Sequence, residues 1–190
     1  MLRWLLSGLF LVVFIPSLAF ANDWRVDMES SALSFETTAF GGPVTGDISD
    51  FDAGIRLNPD DLGDAMIDAR VGVASLDAGS AAYNDALSEP TGLAPEDHPD
   101  ALFASEDIVE AMDCPGEVGV RCYVANGTLV IRGVAQPVSL PFSLTISGGR
   151  AIANGTLNIA RADFGIGAAG WGDTASEVIV HLHIEAVAAD

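Results

Sequence analysis

His181 and His183 stand two residues apart in EVIVHLHIEAV, the clearest place in this 190-residue sequence to look for chemistry. On a strand, residues i and i+2 share one face at a spacing of roughly 7 Å. With a third ligand, two such imidazoles could hold zinc. The same run sets Val178, Val180, Leu182 and Ile184 against His181, His183 and Glu185. The apolar set claims the core, so both imidazoles are expected to face solvent. His98 is the sole remaining histidine, and no metal site is expected. Acidic residues are so numerous that any two can be paired, which removes their value as a sign of acid–base catalysis. No nucleophile elbow, P-loop or zincin motif occurs, so the sequence does not read as an enzyme. Gly165, Gly167, Gly170 and Gly172 resemble a phosphate loop only in composition, because no helix follows to supply a dipole.

Cys114 and Cys122 flank PGEVGVR, a turn-forming segment between two strand-like runs. Seven intervening residues are not a C-x-x-C redox spacing. The expectation is a structural disulfide that closes a hairpin loop and constrains the unfolded chain by about 2–3 kcal/mol. Such a bridge requires an oxidising compartment. The N-terminus agrees with this: Arg3, the apolar run Trp4 to Ala21 and the Ala19-Phe20-Ala21 ending read as a secretory signal peptide over 1–21. An uncleaved anchor is the alternative, since the run approaches spanning length. Cleavage leaves residues 22–190 as one domain.

The chain carries 27 acidic residues against eight arginines, and no lysine, for a net charge of −19. Nucleic acid is excluded as a partner, because binding it needs clustered cations. An anionic membrane surface would repel this chain, so direct electrostatic membrane binding is also excluded.

These residues must be held by strands. SALSFETTAF places Leu33, Phe35 and Thr37 on one face, and DFDAGIRL does so with Phe51, Ala53, Ile55 and Leu57. DAMIDARVGVASL carries Ile67, Ala69, Val71 and Val73. GTLVIRGVAQPVSLPFSLTI, Gly127 to Ile146, reads as two more strands, with Leu129 and Ile131, then Val138, Leu140, Phe142, Leu144 and Ile146, on the apolar face. LFASEDIVEA, RAIANGTLNIAR and EVIVHLHIEAV bring the total to about eight. A helical turn is expected at Asn58-Pro59, and a short helix at SAAYNDALS within the irregular region 79–100. The fold class is all-β: a closed antiparallel barrel or a sandwich. About eight barrel strands leave an interior filled by side chains or open to one small ligand.

A set of short motifs recurs in a fixed order. Trp24-Arg25-Val26-Asp27 precedes Leu33-Ser34-Phe35, Val44-Thr45-Gly46 and Ser75-Leu76-Asp77. Pro99 with Phe103-Ala104-Ser105, Leu129 to Val134, and Arg161-Ala162-Asp163-Phe164-Gly165-Ile166 follow. In this order the sequence resembles the YceI-like, polyisoprenoid-binding family over essentially all of residues 22–190. The resemblance implies an extended lipocalin-like barrel of about eight strands in the bacterial periplasm, holding an isoprenoid or quinone-like lipid. It favours a carrier over two alternatives, an accessory to a membrane cytochrome or quinone system and a lipid-modifying barrel enzyme. The chain departs from the pattern at Asn84-Asp85, where such proteins commonly carry Arg-Asp.

Under that resemblance Phe35, Val71, Val73, Phe103, Leu129, Ile131, Leu140, Phe142, Leu144, Phe164 and Trp171 would line the ligand interior. Arg132, Arg161 and Asp163 would meet a head group at the rim, their alternative being salt bridges between strands.

Overall fold

The computed structural model describes residues 23–112, 119–167 and 171–189. The segment 1–21 and Cys114 lie outside them, so the leader and the disulfide rest on sequence alone. Among the described residues eleven strands form one antiparallel sheet: β1 (Asp23–Val26), β2 (Ala32–Ala39), β3 (Gly42–Ile48), β4 (Phe51–Asn58), β5 (Asp61–Gly72), β6 (Leu76–Asp77), β7 (Asp100–Glu110), β8 (Val120–Ile131), β9 (Val134–Ser147), β10 (Arg150–Ala160) and β11 (Glu177–Ala188). The order β1-β4-β5-β7-β8-β9-β10-β11 closes on itself through a β1–β11 pairing, giving an eight-stranded barrel. β11 pairs with β1 through its last residues and with β2 through Ile179 to His183, and β3 and β6 continue outward from β2. The barrel therefore contains the short β1, while the longer β2, which the sequence reading counted among its eight, forms the start of a flap.

One end of the barrel is closed by packing. Trp24 donates its indole N–H to the Leu57 carbonyl at 2.9 Å. Tyr123 is fully buried and stacks on Phe142, ring centroids 5.4 Å apart. The other end, the mouth, gathers the irregular segments: a 3-10 turn at Val73–Ser75, the helix α1 (Ala81–Ser88), the loop to residue 99 and a second 3-10 turn at Arg161–Phe164. The helix appears where SAAYNDALS placed it, with Ser80 as N-cap accepting from the Tyr83 N–H. Asn84 ties it to the sheet: its side-chain oxygen accepts from the Ala78 N–H and its amide donates to Asp77. That bond and a second from the Gly79 N–H hold the Asp77 carboxyl below its usual pKa.

The helical turn expected at Asn58-Pro59 is absent. Asn58 and Asp61 pair across β4 and β5, and the Asn58 side chain accepts from the Asp60 N–H, an Asx turn too short for a helix. Three other hairpins use two-residue connections with both residues at positive φ: Phe40-Gly41, Arg132-Gly133 and Gly148-Gly149. Only the last has glycine at both positions, the choice such a turn favours.

β9 pairs with β8 along twelve register positions, but with β10 only from Ser147–Arg150 to Phe142–Gly155. Towards the mouth the two strands part. Gln136 donates to the Asp163 carbonyl at 3.0 Å and so ties upper β9 to the second 3-10 turn.

Gly46 shows how tightly the flap is fitted. A Cβ there would collide with the Phe35 ring and with the Asp77 carbonyl oxygen. Since backbone cannot yield as a side-chain tip does, Gly46→Ala is expected to cost about 1–3 kcal/mol, read as a fall of several degrees in melting temperature. An unchanged melting temperature would mean that β3 and β6 are not held this closely.

Candidate functional site

The barrel encloses a cavity of about 320 Å³, within the size range of small-molecule sites. Its walls are almost entirely apolar. Register sends Ile55, Ile67, Leu157, Val178, Val180 and Leu182 inward, yet each is only partly buried. They all line the cavity, which is where that exposed surface lies. Small side chains keep the space open: Ala53, Ala69, Ala101 and Ala153 occupy inward positions on four different strands.

Ten of the eleven interior residues named from sequence line this cavity: Phe35, Val71, Val73, Phe103, Leu129, Ile131, Leu140, Phe142, Leu144 and Trp171. Phe164 is the exception. It is buried in the main core, 3 % exposed, but does not reach the cavity. Thr37, Arg161, Trp171 and Thr174 form the lining at the mouth.

Among the described residues, neither rim arginine forms a salt bridge between strands. Arg161 donates to the carbonyls of Ile166, Gly167, Thr174 and Ala175 at 2.7 to 3.1 Å, and its guanidinium lies 5.7 Å from the Trp171 ring centre. Arg132 donates to the carbonyls of Gly165 and Pro90, joining the β8–β9 hairpin to the loops on both sides. It does not line the cavity, and its Nε–H is buried without a partner among the described residues. Asp163 contributes its main-chain carbonyl to Gln136, while the residue itself is exposed. Both arginines thus organise the mouth loops through backbone acceptors, and only Arg161 also faces the cavity.

At the packed end, burial raises the Tyr123 phenol above its usual pKa, and Arg121 offsets this in part. The Tyr123 hydroxyl has no hydrogen-bond partner among the described residues. Cys122 is buried on β8.

His181 and His183 face outward. Their ring nitrogens approach Glu36 at 3.4 Å and Glu185 at 3.5 Å, and the side chains are roughly half exposed. Replacing both with Ala is expected to change stability by less than about 0.5 kcal/mol, as for exposed strand residues in general, and to leave metal content and ligand retention unaltered. Stoichiometric zinc in the parent protein, lost in the double variant, would overturn that reading.

The YceI-like domain matches residues 24–186. No curated protein matches the sequence. Among solved structures, Burkholderia cenocepacia BcnA is similar at 26 % identity and a TM-score of 0.76, over 85 % of this chain and 99 % of that one. A polyisoprenoid binding domain from Saccharophagus degradans, implicated in plant cell wall breakdown, aligns at 16 % identity and a TM-score of 0.68, over 89 % and 99 %. A Campylobacter jejuni YceI protein aligns at 20 % identity and a TM-score of 0.58, over 76 % and 85 %. The last two similarities establish the fold.

Proposed function

Because this chain belongs to the YceI-like domain family, we propose that it is a periplasmic binding or carrier protein that holds the tail of an isoprenoid or quinone-like lipid in its barrel. The observation that carries this reading is the set of inward apolar side chains left accessible around an interior of about 320 Å³. Water in such a space finds few partners, whereas an apolar chain replaces it at a gain of about 0.8 kcal/mol per methylene. One five-carbon unit then contributes roughly 3–4 kcal/mol before entropy costs. A few units reach the ~8 kcal/mol of micromolar binding. Cavity volume, rather than affinity per unit, sets the tail length. The polyisoprenoid binding of the Saccharophagus domain supports the ligand class.

A lipid-modifying enzyme needs titratable groups beside the bound chain. Among the described residues, the charged ones on the lining are Asp52, Arg70 and Arg161. Arg70 pairs outward with Asp50 and Asp100, and Arg161 is held by carbonyls, so the interior favours retention over reaction. Organic extraction of the native protein, followed by mass spectrometry, tests this. A retained isoprenoid or quinone supports the reading, whereas a chemically altered lipid accumulating with time would replace it with an enzyme.

The compartment has its own test. Periplasmic material is expected to begin at Asn22 and to carry one Cys114–Cys122 bridge. An intact mass that includes residues 1–21, or two thiols alkylated without reduction, would reject secretion with a disulfide.

A further inference from the structure

Phe40 occupies a place where the fold has no use for it. Its backbone sits at φ 51° at the tip of the β2–β3 hairpin, a conformation that disfavours bulky residues, and its side chain is 72 % exposed. In the equivalent position of the β9–β10 hairpin the chain uses Gly148. A strained backbone carrying an exposed aromatic ring calls for a function outside the fold.

The tip is fastened to the mouth. The Phe40 N–H donates to the Asp173 carbonyl, Ala39 bridges Thr174, and the Ala175 N–H donates to the Thr38 carbonyl. Thr37 and Thr174, next to these links, line the cavity. In a chain of net charge −19, residues 37–45 and 164–172 carry no charge, and Asp173 is the acid closest to the tip along these links.

We infer that the β2–β3 hairpin tip is a membrane-contacting finger, which inserts Phe40 into the surface of an electrically neutral bilayer and so brings the cavity mouth against the lipid phase. This rests on the proposed lipid-binding function and adds the source from which the barrel is loaded. A protein partner is the weaker fit, because a stable protein interface buries about 800 Å² on each side and the tip offers one ring on a narrow hairpin. A single aromatic side chain at the interface instead gives weak, reversible attachment, which suits loading and release. The overall negative charge makes anionic bilayers repulsive at low salt, and screening should relieve this.

The test compares delipidated wild type with Phe40→Asn, since Asn tolerates the left-handed backbone that Phe does not favour. Flotation with phosphatidylcholine vesicles is expected to show wild-type association that falls about tenfold or more in the variant. The melting temperature of the variant should be equal or higher. Transfer of a fluorescent long-chain isoprenoid from vesicles should slow, while the same probe supplied in detergent should stabilise both proteins equally. Equal flotation of the two proteins, no flotation of wild type, or a lower melting temperature in Phe40→Asn would overturn the finger. Binding only to vesicles bearing membrane proteins would do so in favour of a protein partner. Failure of the probe to stabilise either protein in detergent would instead reject the lipid-binding function.

Discussion

Delipidated protein is expected to melt at a higher temperature when a long-chain isoprenoid is added, and Ala153→Phe is expected to abolish that gain without destabilising the empty barrel. A ligand that binds only the folded state stabilises it by about 4 kcal/mol at a thousand times its dissociation constant. For a chain of this size that corresponds to a rise of roughly 10 °C. Ala153 lies on β10 between Leu144 and Ile184, points inward, and is only partly buried because it borders the cavity. A ring added there enters open space. In a packed core the same change would cost about 1–3 kcal/mol. Ala125, fully buried on β8, supplies that contrast: Ala125→Phe should lower the melting temperature. Thermal unfolding of the three proteins, with and without isoprenoid, decides the matter. No stabilisation of wild type by any apolar chain would reject a lipid-holding interior.

Phe142→Ala is the second large effect, a loss of about 3–5 kcal/mol, or roughly 10 °C or more in melting temperature. The ring stacks on Tyr123, is 7 % exposed and lines the cavity. Removing it takes away the stacking partner of Tyr123, the one large side chain wholly enclosed among the described residues. The cavity would then extend towards the closed end, so the variant should favour a longer apolar chain than wild type does. Equilibrium denaturation measures the first effect, and competition between short and long isoprenoids the second. A loss under 1 kcal/mol would mean that Phe142 is not a structural floor.

Much of this arrangement was legible because strand alternation is a strong signal. Val178, Val180, Leu182 and Ile184 read as one face, and the register places all four inward. β1, β3 and β6 were not legible: one has four residues, one has two, and GPVTGDI carries Gly and Pro that mask its alternation. The open interior was hidden for another reason. Ala53, Ala69, Ala101 and Ala153 leave space only together, a relation between four strands distant in sequence. The bonding of Arg132 and Arg161 was hidden as well, since their acceptors are carbonyls, which every residue has. Asn84 looked like a departure from the family pattern, yet it makes two side-chain hydrogen bonds, to Asp77 and to the Ala78 N–H, that join α1 to the flap beside the packing of Tyr83 and Leu87.

The parting of β9 from β10 leaves a length of unpaired strand edge, and such an edge invites another chain to add to the sheet. Pro137 and Pro141 lie on that length, and the Pro141 carbonyl points towards Gly155 on β10. Along an antiparallel strand, residues two apart direct their main-chain groups to the same side. Both prolines therefore face the gap, where neither has an N–H to offer. The edge is short of alternate donors and a poor template for intermolecular β-pairing. The two prolines keep a deliberately unzipped barrel from becoming the seed of an aggregate.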